Sequence, residues 1–334
     1  METKPLHPVP EHLDALRRWL VVVAGMVFFM VVLGGVTRLT ESGLSMVDWH
    51  PVTGWLPPLS DEAWLAEFEK YKTSPEYTQK NSWMTVEDFK GIFWLEYLHR
   101  LMGRLIGLAF AVPFFFFLFR GWIPGRLKPA FWGLLVLGGL QGVMGWYMVQ
   151  SGLVDRPAVS QYRLASHLGL AFVIYGALLW MILRLKEPRA GPINPYAAGL
   201  VLLIFAQIIS GAFVAGLDAG YIYNTWPLID GAFIPGDIYA PEGFWVTGFE
   251  DNRAAQFNHR MLAYIVTLAV AVFFWRYRKD GPYAHALMGM TAVQVLLGIV
   301  TLIMVVPVWM GAIHQAGALV LYSIALWTAY RLRA

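Results

Sequence analysis

Long apolar runs recur along this chain, and they limit its fold more than any other feature. A helix that crosses a bilayer needs about 20 mostly apolar residues. Eight segments approach or meet that length: roughly Trp19 to Thr37, Glu96 to Phe119, Ala130 to Val149, Leu164 to Leu183, Tyr196 to Ala215, Asn258 to Trp275, Tyr283 to Val306 and Val308 to Tyr330. Of the 334 residues 57% are hydrophobic and 14% charged, against about 25% charged in a typical soluble domain. The expected fold class is therefore an all-α integral membrane protein with eight transmembrane helices.

The basic residues set the expected orientation. Arg17 and Arg18, Arg120, Arg126 and Lys128, Arg184, Lys186 and Arg189, Arg276, Arg278 and Lys279, and Arg331 and Arg333 all fall on one side of the eight crossings. That side is cytoplasmic by the positive-inside rule, and it holds both termini. The net charge of +3 follows from this topology and calls for no nucleic-acid partner. The opposite side carries the long connections, 39–91 and about 217–257. The stretch from Asp61 to Asp88 mixes charges with Trp64, Phe68, Tyr71 and Trp83, a pattern that predicts short amphipathic helices on the outer surface.

With no cysteine in the chain, disulfides, thiolate metal sites, iron–sulfur clusters and covalent heme attachment are all excluded. The N-terminal residues have neither an apolar signal core nor an Arg-rich transit pattern. The first span is thus expected to stay in place, in a bacterial cytoplasmic membrane.

The two halves of the chain repeat. Gly43, Trp49, Gly54 and Pro58 recur at a constant offset as Gly220, Trp226, Gly231 and Pro235. Gln141 and Gly145 recur as Gln294 and Gly298. His167, Ala171, Tyr175, Leu179 and Trp180 recur as His314, Ala318, Tyr322, Leu326 and Trp327. Four crossings return a chain to its starting side, so the halves share one orientation. The expected organisation is a cytoplasmic tail over 1–18 and two pseudo-symmetric four-helix bundles, 19–190 and 191–334, the first carrying the outer loop 39–91.

Four of the eight histidines open spans on the outer side at matched positions: His99 with His259, and His167 with His314. His7, His12, His50 and His285 have no counterpart. The same seventeen-residue interval separates His167 from Arg184, His259 from Arg276 and His314 from Arg331, about 25 Å along a helix. His99 to Arg120 is longer by four residues, as a tilted helix or a higher start would give, and the matched histidines are expected near the outer edge of the hydrocarbon. Two neutral imidazoles facing each other across a bundle are what a six-coordinate heme requires, and two pairs imply two hemes. Zinc fits less well, because it takes three or four protein ligands at one point.

Arg100 and Arg260 follow the second- and sixth-span histidines directly, at the level where heme propionates would emerge. Three residues before each histidine the halves differ: Glu96 in the first, Gln256 in the second. A carboxylate at a heme edge can move a proton or steady positive charge, whereas an amide can only hydrogen-bond. Glu96 is therefore the candidate catalytic residue, and the first half the candidate reaction site.

These residues resemble the heme A synthases. The marks are the run Gly34, Gly35, Val36, Thr37, Arg38, Leu39 and Thr40; the following Ser42, Gly43, Leu44, Ser45 and Met46; the Trp49, Pro51, Gly54, Pro57 and Pro58 pattern; and Glu96, His99 and Arg100 with the other three histidines. Some members carry a cysteine pair in outer loops, and this chain resembles the branch without it. The resemblance implies oxidation of the methyl group at porphyrin carbon 8 of heme O to a formyl group, giving heme A for terminal oxidases. It implies that His259 and His314 hold a resident heme b and that His99 and His167 bracket the substrate heme. A heme O synthase and oxidase-assembly proteins are the partners it suggests, beside the bilayer and self-association.

An iron held by two histidines has no open coordination position. Either a histidine leaves during turnover, or the methyl is oxidised by electron withdrawal and then attacked by water, the route we favour, with Glu96 steering the water or steadying the cationic carbon. Two other readings stay open at this point. One is a diheme electron-transfer protein of cytochrome b type. The other is a transporter whose histidines relay protons.

Overall fold

The computed structural model describes residues 10–49, 53–154, 157–189, 191–236, 238–239 and 243–332. His7, His50, Pro51 and Arg333 lie outside the described residues. Within them the chain is helical, and eight helices are long and apolar enough to cross a membrane. These are α1 (Pro10–Leu39), α3 (Val86–Phe119), α4 (Lys128–Gln150), α5 (Gln161–Lys186), α6 (Pro195–Gly216), α8 (Asn252–Tyr277), α9 (Pro282–Ile303) and α10 (Val308–Arg331). Two shorter helices, α2 (Asp61–Lys72) and α7 (Phe244–Glu250), lie in the long connections.

Local chemistry sets where the helices begin. Asn194 accepts from the amides of Tyr196 and Ala197 at the start of α6, and Asp251 from those of Arg253 and Ala254 at the start of α8. Such caps satisfy donors that a first helical turn leaves unpaired. Thr85 and Asp88 form a capping box at the start of α3, ten residues before the apolar stretch expected from Glu96. The outer end of α3 is thus a polar extension that hydropathy alone does not detect. At the other extreme α9 stops at Ile303 instead of Val306, because Val305 and Val306 take left-handed φ values of 59° and 52° ahead of Pro307. α1 likewise starts at Pro10, inside the expected tail, where Asp14 pairs with Arg17 and Arg18.

Helices within the two halves touch in matching pairs. α1 packs on α3 and α5, and α4 on α3 and α5; correspondingly α6 packs on α8 and α10, and α9 on α8 and α10. Across the middle, α5 touches α6 and α10, and α1 touches α10. Here Tyr175 hydrogen-bonds Ser323 at 2.9 Å, while the Tyr322 hydroxyl lies against Gly176. These are repeat-matched contacts, each tyrosine filling a gap left by a small residue of the opposite helix.

α2 buries Trp64, Phe68 and Tyr71 on Phe89, Phe93 and Tyr97 of α3, and Ser60 caps it by accepting from Ala63. It covers the N-terminal end of α3, and Lys70 joins it to Asp48 at 2.9 Å.

Candidate functional site

All four repeat-matched histidines share one contact. Each lies in the N-terminal half of its helix and packs on a glycine of the neighbouring helix. A Cβ added at Gly34 would stand 3.2 Å from the His99 ring, at Gly145 3.1 Å from His167, at Gly211 3.2 Å from His259, and at Gly298 3.0 Å from His314. Such spacing is tighter than ordinary van der Waals contact, so only glycine lets ring and backbone approach this closely. His99 lies within electrostatic range of His167, and His259 of His314. Among the described residues no three His, Asp or Glu side chains converge as a metal-binding group. Imidazoles in pairs suit the two axial positions of a heme.

Three of the four rings are held by a glutamine one turn before the glycine. Gln141 donates to the main-chain carbonyl of His167 at 3.1 Å and lies 3.3 Å from its Nδ1. Gln207 does the same for His259 at 3.0 and 3.1 Å, and Gln294 for His314 at 2.9 and 3.2 Å. Each amide also leaves its Oε1 buried and without a partner. In the first half the matching position on α1 is Met30, and no hydrogen bond reaches the His99 ring among the described residues.

One turn outward from His99, Glu96 is 2% exposed. Its Oε1 accepts from Arg100 Nε at 3.0 Å and Nη2 at 2.5 Å. Its Oε2 accepts from the Ser45 hydroxyl at 2.7 Å and the Met46 amide at 2.8 Å. Arg100 also donates to the carbonyls of Met46 and Asp48 and lies over the Trp49 ring. In the second half Gln256 donates to the carbonyls of Ala219 and Ile222 and accepts from Arg260 at 2.9 Å. Arg260 reaches the carbonyls of Tyr223 and Thr225. Both arginines therefore staple an outer loop to the helix that carries the histidine. The Glu-to-Gln difference follows what each loop presents: donors at Ser45 and Met46, acceptors at Ala219 and Ile222.

A second buried carboxylate lies in the outer cap. Glu76 is 2% exposed and accepts from the Tyr71 hydroxyl at 3.0 Å, while Asn81 donates to the same hydroxyl at 2.8 Å. Burial pushes the Glu76 carboxyl up to about 7, the Tyr71 bond opposing this and the charges of Glu96 and Glu41 adding to it.

Residues 17–326 match the model of the cytochrome oxidase assembly protein family. The chain belongs to that family. It is 50% identical over 324 residues to a heme A synthase of Parvibaculum lavamentivorans, covering 95% of this chain and 94% of the relative. It is 49% identical to a heme A synthase of Paramagnetospirillum magneticum, over 94% of this chain and 92% of the relative. A third relative, the heme A synthase of Rhodospirillum centenum, is 48% identical over 96% of this chain and 88% of its own length.

On this member of the family, the structure brings together Glu96 and Arg100 around one loop and Gln256 and Arg260 around the other. Each arginine also donates to main-chain carbonyls of its loop. Of the unmatched histidines, His12 stacks on Trp122 with ring centroids 4.1 Å apart, and His285 packs edge-on against Phe274. Sequence reasoning missed the glutamine and glycine supports as a set. Gln207 and Gly211 stand at the offset that relates Gly43 to Gly220, which also maps Met30 and Gly34 onto them. The pattern was available, but nothing in the sequence says that these residues touch histidines.

Proposed function

We propose that this chain is an enzyme that oxidises the carbon 8 methyl group of heme O to a formyl group, giving heme A for terminal oxidases. One observation carries the assignment of sites: two matched histidine pairs, each ring seated on a glycine, in halves that differ in their polar surroundings. The naming of close relatives across nearly the whole chain supports the reaction.

In this reading His99 and His167 hold the iron of the substrate heme, and His259 and His314 hold a resident heme b. The donor set fits: imidazole in pairs, with glycine cradles where a larger residue would displace the ring. Heme b, when bound, supplies an iron that passes electrons one at a time. Gln207 and Gln294 fix the rings of its two ligands, and each has a buried Oε1 able to accept from Nδ1–H after rotation of the amide. In the first half Arg100 and Glu96 hold residues 45–48 over the outer end of the site, and the Glu96 carboxylate is the group placed to steer water to the substrate edge.

The two helix rings form pseudo-symmetric bundles with both termini in the cytoplasm of a bacterium, the protein spanning the inner membrane. The basic helix ends support this, since Arg331 pairs with Glu187 and Arg189 reaches the carbonyl of Arg331, which gathers the ends of α5 and α10 on one side. A heme O synthase and oxidase-assembly proteins are the partners this function calls for.

The test is extraction and chromatographic analysis of hemes from the purified protein and from His99→Ala and His259→Ala variants. Hydroxymethyl or formyl heme that disappears with His99→Ala, together with heme b that disappears with His259→Ala, is the expected result. Unmodified heme alone in an active membrane preparation would instead indicate electron transfer without chemistry on the heme.

A further inference from the structure

The four histidine sites share their glycine cradles but not their glutamine braces. Gln141, Gln207 and Gln294 each bridge the main-chain carbonyl and the ring of a histidine. His99 alone has Met30 at that position. A thioether offers no donor and only a weak acceptor, on a flexible chain. The Met30 terminal methyl instead lies 3.5 Å from where a Cβ of Gly103 would stand, one turn along α3 from His99 and on the same face. The His99 ring is also turned differently. Its Nε2 is the atom nearest Gly34, whereas at the other three sites the nearest atom is Cε1.

We infer that Met30 makes His99 the releasable ligand of the first-half site, through which a heme is taken up and given up while the second-half heme stays. This rests on the reading above, that the first half receives a substrate heme and the second keeps a resident one. A substrate heme must arrive and its product leave in every turnover, so its iron–nitrogen bonds form and break each time. A resident heme is spared this. The braces follow that division: two in the second half, one in the first. A ring whose rotation is fixed by a partner beyond the metal rebinds in place, whereas an unbraced ring can turn away. Release breaks one iron–nitrogen bond, leaves its electron pair on the imidazole and needs no oxidant. Met30 is thus a positioning residue that acts through His99.

The experiment uses full-length protein in detergent with hemin in both halves, reduced with dithionite and mixed with carbon monoxide. Carbon monoxide binds a six-coordinate heme only after a histidine leaves, so the rate reads release. The same samples are mixed with excess apomyoglobin to follow heme transfer. The first-half heme, isolated in His259→Ala, is expected to react faster in both assays than the second-half heme, isolated in His99→Ala. Met30→Gln should slow the first-half reactions about five- to tenfold, as one added hydrogen bond to the ligand predicts, with the bis-histidine spectrum retained. Met30→Leu should keep the wild-type rate. Gln294→Met, which removes the one side-chain partner of the His314 ring among the described residues, should speed the second-half reaction by a similar factor, which keeps the test decisive even where Met30→Gln fails to fold. An unchanged rate in Met30→Gln with an intact bis-histidine spectrum, or an inert Gln294→Met second half, overturns the role of Met30. A first half that never binds hemin through two histidines overturns the site reading itself, and this inference with it.

Discussion

Replacing Glu96 by Gln separates two roles that the carboxylate could play. In the structure Oε1 serves Arg100 and Oε2 serves Ser45 and the Met46 amide, so both oxygens act only as acceptors. A glutamine has one acceptor oxygen and one donor nitrogen. Whichever way it turns, its NH2 faces either the guanidinium or the loop donors. The Arg100 side chain is 7% exposed and would lose its counter-charge in a buried place. Charge-assisted hydrogen bonds are worth about 1.5–3 kcal/mol each, and stranding one partner of a buried pair costs about 3–5 kcal/mol. Arg100 keeps its bonds to the carbonyls of Met46 and Asp48, which puts the net cost at the lower end, about 3 kcal/mol. That is roughly a hundredfold rise in the population with residues 45–48 detached. The assay is amide hydrogen exchange over this loop, read by mass spectrometry beside heme oxidation by the same preparation. Exchange about a hundredfold faster at Met46, with turnover reduced, is the expected outcome. Wild-type exchange with turnover abolished would show that the carboxylate acts in the chemistry and that the latch is incidental. Wild-type exchange with normal turnover would refute both roles.

The reciprocal change, Gln256→Glu, sets a carboxylate against the carbonyls of Ala219 and Ile222 and should lower second-half heme content by releasing its loop, as measured by pyridine hemochrome. Gly211→Ala and Gly298→Ala each place a Cβ 3.0–3.2 Å from a ligand ring and should deplete the second-half heme selectively, while Gly34→Ala should spare it. Glu76, raised to about 7, binds a proton more tightly folded than unfolded. Stability of the outer cap is therefore greatest below the unfolded carboxylate value and falls as pH rises from about 4.5 to 7. Limited proteolysis of the α2 segment should show that loss, and Glu76→Gln should abolish it. If water attacks the oxidised methyl, oxygen-18 from labelled water will appear in newly formed hydroxymethyl heme; its absence there rules the route out.

Spans were legible because lipid imposes one strong requirement, long apolar helices with satisfied backbones. Their boundaries were less so. The outer extension of α3 rests on Thr85 and Asp88 and on aromatic packing against α2, which are tertiary and polar effects. Position in the repeat selected the four histidines, but repetition says nothing about what surrounds a ring. Gln141 and Gln294 were visible as repeated residues, and only helix packing places their amides against His167 and His314. The arginines show the same limit. Their placement beside the histidines suggests propionates, and only the folded loops show that each guanidinium also donates to main-chain carbonyls, of Met46 and Asp48 in one half and of Tyr223 and Thr225 in the other.

The same comparison explains why the informative positions are those where the repeat fails. Duplication of a symmetric site yields equal halves, and lipid-facing residues can then drift without consequence. Glu96 against Gln256 and Met30 against Gln207 are different: Glu96 and Gln256 each bond the loop beside a histidine, and Gln207 bonds a ring where Met30 bonds none. At the first pair the loop itself has changed to match, presenting donors at Ser45 and Met46 where the second half presents carbonyls. At the second pair nothing has changed to compensate, and the His99 ring is left without the brace that the other three possess. A compensated difference preserves the strength of a site, whereas an uncompensated one weakens a single ligand. Grafting Glu96 into the second half should therefore fail unless Ser45 and Met46 are grafted with their loop, while Met30→Gln and Gln294→Met should each act as a single substitution.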